Sequence, residues 1–426
     1  MTEPATKADS ELQARIDALL LEQGAFSPLE LLFDSGRLGY EDYESWRRRE
    51  VASLDELLMG DPVNIRTELQ QAAGYARSIG LLEQPQEFYA WQQTAAQDRP
   101  LEISADRELR RLIGSRYIPA QSKPQLDLFF DNPVVALTNG IARALSARNA
   151  IEAQRQLDRL YQQAPTHPDL AAYDQLLAAL GHLGRTDLDP QQELAFLHAL
   201  APVAKRLLTS QARDLLAPLW RQLAGLLDGQ AFSPDTPELH RGFALSQAQD
   251  WAGVSKAVLG EPQWWQHAAL CQLLAQSGFH KHERGSSLSG WFQLCWRHPE
   301  PASAALDSRQ QPDASITRAW QRFLDLEDAV ADAEYAGAVP TTSDFPAWLL
   351  LHEQALAQLL PLDLAKGTSA GEENYRCVHR WIHARQEARA DDEMKERRAL
   401  QASQPLLFRY LKERAAATGA ATRSLL

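Results

Sequence analysis

Cysteine is scarce in this chain, and so are the residues that favour sheets. The 426 residues include three Cys, Cys271, Cys295 and Cys377. A set that is small and odd in number builds no disulfide framework and fits a reducing compartment, so a cytoplasmic protein is expected. β-branched residues are few and period-two alternation is rare, which argues against an all-β architecture. No hydrophobic run approaches the ~20 residues of a membrane-spanning helix, so no membrane partner is expected. The opening residues, Met1 to Gln13, are polar and acidic, unlike a secretory leader. Glycine-rich phosphate loops, a dinucleotide fingerprint and a Gly-x-Ser-x-Gly elbow are all missing, so no cofactor is expected.

What the chain has in quantity is Leu, Ala, Gln, Arg and Glu, all good helix formers. Hydrophobic residues make up 45% of it, enough for a sizeable core and against global disorder. The formal net charge is −13, which repels phosphate backbones and makes nucleic acid a poor direct ligand. Residues 1–80 alone carry 15 acidic against 8 basic side chains, so the Arg47-Arg48-Arg49 run does not make a DNA reader of them.

Punctuation is clear at the N-terminus. Leu12, Ile16, Leu19 and Leu20 form an amphipathic stripe that stops near Gly24. Ser27 with Glu30 and Ser53 with Glu56 have capping-box spacing. Tyr40, Tyr43 and Arg47 share one helical face with Trp46 beside it. Asp61-Pro62 opens a longer helix that closes at Gly80. Residues 1–82 are therefore expected as a helical cluster. Periodicity fades over 83–132, which is expected as a connector with little regular structure. Helices then follow over 133–336. Residues 337–426 are expected as a helical extension: a helix at 346–360, a long one from Glu372 past Met394, and a short last one opened by Pro405.

Ala153, Leu157, Leu160 and Pro165 have the spacing of a packed second helix and its terminator. In that pattern the segment resembles the tetratricopeptide repeat, a helix-turn-helix unit of about 34 residues. On the preceding helix Leu137 and Ala144 suit packing positions, while Ile141 stands where the family has Gly, one residue after Gly140. Val254, Ala257 and Pro262 are a second partial match, with Asp250 in place of a small residue. After Pro165 the spacing is lost, with Asp174 and Gln175 at positions that should be packed. The resemblance implies an irregular α-solenoid of stacked hairpins whose long face receives a protein partner.

Gln125-Leu126-Asp127-Leu128-Phe129 is similar to the pentapeptide by which proteins dock on the bacterial replication sliding clamp. Such a peptide places its Leu and Phe in an apolar groove. The competing reading is that these residues anchor the connector to the helical core. Of the tryptophans at 251, 264, 265, 291 and 296, most are expected in the core. The neighbours Trp264 and Trp265 point about 100° apart on a helix, so one can face a partner. Cys295 with His298, near His280 and His282, has a metal-like composition but no finger spacing. Cys377, His379 and His383 suggest a nucleophile. On a helix, however, Arg376, His379, Arg380 and His383 form one basic face opposite Tyr375, Val378, Trp381 and Ile382.

These observations predict an all-α protein that acts as a non-catalytic scaffold or adaptor for a protein partner. Gln125 to Phe129, Trp264, Trp265, Arg376 and Arg380 are the candidate partner-binding residues. The alternatives are an accessory factor recruited to the sliding clamp, and a metal-binding or enzymatic helical protein.

Overall fold

The computed structural model describes residues 7–91, 99–119, 133–308, 313–326 and 340–412. The described residues are mostly helical, as expected from composition. They fall into two compact units, Met1–Ala257 and Val258–Leu426. No described helix is long and apolar enough to cross a membrane.

The first unit opens with helices α1 (Lys7–Gln23), α2 (Pro28–Asp34), α3 (Tyr40–Arg47) and α4 (Pro62–Ser78). Asp61 caps α4 by accepting the Val63 N–H at 3.2 Å, and Gly80 ends it with a φ of 85° that a larger residue would resist. The first capping box is not formed. Ser27 makes no capping bond and the Glu30 carboxylate binds Arg213 far along the chain; nor does the second box form, since the Ser53 hydroxyl donates to Asp55 and Glu56 instead of accepting a backbone N–H.

The connector is also more ordered than its composition suggests. Strands β1 (Leu81–Pro85) and β2 (Ser115–Pro119) pair antiparallel with Glu83 opposite Tyr117, and α5 (Arg107–Ile113) lies between them in sequence. Tyr117 exchanges backbone bonds with Phe26 at 2.7 and 2.9 Å. Leu112, Ile113 and Tyr117 are fully buried with Ile16, Phe26 and Trp46. The described part of this segment thus completes the N-terminal core.

Helices α6 (Pro133–Ser146), α7 (Ala150–Gln163), α8 (Leu170–Leu180), α9 (Pro190–Leu208), α10 (Ala212–Leu226), α11 (Arg241–Gln247) and α12 (Trp251–Gly260) follow. Asn149 caps α7 by accepting the Glu152 N–H at 3.0 Å. Ala153, Leu157 and Leu160 are the buried stripe of α7, packed on α6 through Ile141 and Leu145. On α8, Asp174 is exposed and Tyr173 and Leu176 are buried, so the packed face has shifted from the repeat register. Asp250 departs from the pattern for a local reason: it caps α12, accepting the Gly253 N–H at 2.8 Å.

The second unit contains α13 (Ala268–His280), α14 (Arg284–Arg297), α15 (Pro299–Asp307), α16 (Ala314–Leu324), α17 (Phe345–His352), α18 (Ala370–Gln386) and α19 (Ala390–Ser403); residues 405–412 are also helical. Its core is aromatic, built on Phe292, Trp320, Phe345, Trp348, Tyr375 and Trp381. Two expectations need correction. The helix expected over 346–360 ends at His352, and the chain continues in a short 3-10 turn, Gln354–Gln358. The long helix from Glu372 is broken at Ala388, φ 55°, where the Arg389 N–H returns to the Ala384 carbonyl at 2.8 Å and α19 folds back on α18.

Candidate functional site

A polar cleft of about 620 Å³ lies in the first unit. Its walls come from α2, α3, the stretch Gln84 to Trp91, Arg116 on β2, the end of α6 with the start of α7, and the start of α10. The 84–91 stretch is tied to its neighbours by backbone bonds at Gln86 and Trp91. The Gln86 N–H donates to the Gly114 carbonyl at 2.7 Å, and the Trp91 N–H to the Arg47 carbonyl at 3.0 Å.

Beneath the cleft is a buried layer of charge. Arg213 binds Glu30 through two bonds at 2.7 and 3.1 Å. Arg47 pairs with Asp214 at 3.3 Å and donates to the Tyr89 carbonyl at 2.9 Å. The Tyr40 hydroxyl donates to Asp214 at 3.1 Å. Glu44, almost fully buried, accepts from Arg148 at 2.8 Å and from Arg221. Arg47 and Arg148 also lie over the Trp91 ring, 5.1 and 4.4 Å from its centre.

Burial dominates the acid–base behaviour of this layer. It pushes the Asp214 carboxyl up, against the pull of Arg47 and Arg213. It also raises the Tyr40 hydroxyl well above its usual value, helped by Asp214 and Glu44. Burial opposes the charge on Arg213, but Glu30 outweighs it and the pKa stays raised. These groups are committed to one another, and they fix the walls in place.

Two other arginines line the same cleft on different terms. Arg116 is partly buried and makes no side-chain hydrogen bond or ion pair among the described residues, and burial lowers its pKa. Arg143, near the end of α6, is exposed and likewise unpaired. Besides Glu30 and Asp214, the carboxylates that share the cleft with them are Glu87, which accepts from the Tyr89 hydroxyl at 2.5 Å, and Glu152, which binds Arg155 and Gln156. The Ser27 hydroxyl and the Trp91 indole N–H lie in the wall, shielded from solvent and without a hydrogen-bond partner among the described residues.

The residues singled out from sequence are dispersed. Gln125 to Phe129 lie outside the described residues. Trp264 and Trp265 stand edge to face, 6.1 Å apart, both half-buried; Trp264 packs on the core and Trp265 meets Lys366 at 5.8 Å. Trp291 and Trp296 are core residues.

The basic face of α18 is largely neutralised within the chain. Arg376 pairs with Glu373 at 2.6 Å and donates to the Gly367 carbonyl. Arg380 pairs with Glu373 at 3.0 Å and Glu396 at 3.1 Å. His379 is not on an exposed face at all. It is buried with its Nε2 2.8 Å from the Leu360 carbonyl, and burial lowers its pKa.

Thiol chemistry is equally suppressed. Burial pushes the Cys271 thiol up to about 12 and Cys377 to about 11, with Glu396 adding to the latter. Cys295 is fully buried and raised further, while His298 bonds the Gln266 carbonyl at 2.9 Å. Among the described residues no three His, Cys, Asp or Glu side chains gather as metal ligands would.

Sequence reasoning missed the cleft. Its four arginines come from α3, β2, α6 and α10, and no local spacing links them. The only available signal was the Tyr40, Tyr43 and Arg47 face, which does point into the charged layer. Comparison with family models, with curated proteins and with solved structures finds no match to the chain.

Proposed function

We propose that the protein is a non-catalytic adaptor and that the cleft of the first unit receives a segment of its protein partner. The observation that carries this reading is the pairing of a roomy polar cleft with a rigid base: the walls stand on a buried ion layer instead of on a mobile loop. A preformed cleft loses little entropy when a chain enters it. The 84–91 wall runs beside the α6–α7 hairpin, which offers a strip long enough for several residues of a partner. In this reading the hairpin helices are the irregular solenoid that the repeat resemblance implies.

Photo-crosslinking tests the proposal. Benzoylphenylalanine is placed at Gln84, exposed in the cleft wall, and at Thr67, exposed on α4 outside it. The expected result is one dominant crosslinked protein from the source lysate at position 84, absent at 67, that binds again when purified. Equal crosslinking at both positions, or none, rejects the adaptor reading of this cleft.

A further inference from the structure

Four arginines line the cleft, and two of them are already engaged. Arg47 and Arg213 are matched to Asp214 and Glu30. Arg116 and Arg143 have no counter-charge among the described residues. Arg116 is the more informative of the two. On β2 it stands opposite Gln84, between the buried Ser115 and Tyr117, so the strand pairing fixes its position. A guanidinium has five donors and no acceptor, and its planar fork matches a carboxylate. Partial burial with no partner is an unfavourable state for such a group, and an anion in the cleft relieves it. The local balance supports this. Of the four carboxylates that line the cleft, Glu30, Asp214 and Glu152 are each held by another arginine and Glu87 accepts from the Tyr89 hydroxyl, so none of them pairs with Arg116 or Arg143. The chain's charge of −13 disfavours a long polyanion, so the ligand that fits carries a few carboxylates instead of a phosphate backbone.

Resting on the adaptor reading above, we propose that the cleft selects an acidic peptide segment, with one side-chain carboxylate held by Arg116 and a second drawn to Arg143.

The test uses the full chain and fluorescence polarisation. The probe is a fluorescein-labelled octapeptide of alternating Gly and Glu; its counterpart has Gln in place of Glu. The acidic peptide is expected to bind, and the Gln counterpart at least about 10-fold more weakly, the scale of hydrogen bonds to a charged group. Arg116→Gln should weaken binding by about 10-fold or more, and Arg116→Lys by less, because charge remains while the fork is lost. Arg143→Gln should weaken it by a few-fold, and Arg185→Gln, a cation paired with Asp187 away from the cleft, should leave it unchanged. Arg116 bonds to no other side chain, so its variants should keep wild-type melting behaviour.

Several results overturn the proposal. Equal binding of the two peptides does so, as does undiminished binding by the Arg116→Gln, Arg143→Gln double variant. Tight binding of free glutarate at the same arginines, without binding of the peptide, reassigns the cleft to a small dicarboxylate and also overturns it. If position 84 still crosslinks its protein partner in that double variant, the acidic specificity fails while the adaptor reading stands. If position 84 crosslinks nothing but the Glu peptide binds, the reverse holds.

Discussion

Gly290→Ala is the sharpest probe of the second unit. Helices α13 and α14 approach so closely that a Cβ on Gly290 would sit 2.6 Å from both the Ala275 nitrogen and the Cys271 carbonyl oxygen. Both obstacles are backbone, so no rotamer change can relieve them. Contacts to carbon settle near 3.5 Å, so the helices must part by about 1 Å. That movement loosens the layer formed by Phe292, Leu294 and Cys295, all fully buried. Overpacking of this kind costs about 1–3 kcal/mol, and a backbone clash belongs at the upper end. Replacing a helical Gly by Ala returns about 1 kcal/mol. The net expectation is a loss of about 2 kcal/mol. Gly225→Ala in α10 is the control, since nothing lies within 4 Å of a Cβ there. It should gain about 0.5–1 kcal/mol. Urea denaturation gives the totals, and hydrogen exchange assigns each change to its own unit. A Gly290→Ala protein as stable as the wild type would refute the close approach of α13 and α14.

Three further expectations follow from particular residues. Glu44→Gln removes the shared carboxylate of Arg148 and Arg221, and should cost about 3 kcal/mol in urea denaturation, near the low end for a broken buried pair because the arginines are partly exposed. Glu372 is buried, and although burial raises its pKa, bonds from Ser369 and Gly367 and the charge of Arg297 hold it below its ordinary value of 4.5. A depressed carboxyl stabilises the fold above its unfolded pKa, so that contribution is complete at neutral pH and is lost as pH falls from about 4.5 through the lower folded value. Glu372→Gln should therefore weaken the second unit at pH 7 and show a shallower loss of stability between pH 5 and 3; an unchanged acid limb contradicts this. If Gln125 to Phe129 recruits the protein to a sliding clamp, Leu128→Ala with Phe129→Ala abolishes clamp recovery from lysate and spares the partner crosslinked at position 84.

Local signals in the sequence were reliable at α4 and α7, though not at the capping-box spacings of Ser27 and Ser53. Asn149, the Ala153-Leu157-Leu160 stripe and Pro165 mark α7, and Asp61-Pro62 marks α4, because caps and terminators act within one turn. Signals were weak where partners are remote. The β1–β2 pair joins segments more than thirty residues apart, and each strand is too short to show alternation. The break at Ala388 has no Gly or Pro to announce it; α18 ends there because Ala388 adopts a left-handed conformation that few non-glycine residues take. Glu30 looked like a capping residue and became the partner of Arg213, 183 positions away. The cleft was invisible for the same reason, since its charges meet only after the chain has folded back.

That distance has a consequence for biosynthesis. Glu44 leaves the ribosome 177 residues before Arg221. At about 5–20 residues per second, the N-terminal helices wait roughly 9 to 35 s for Arg221, the partner that completes the pairing begun by Arg148. During this interval the aromatic face of Tyr40, Tyr43 and Trp46 has only part of its cover. Codons that slow translation between α3 and α10 should therefore lower the yield of native protein more than the same codons placed after α10.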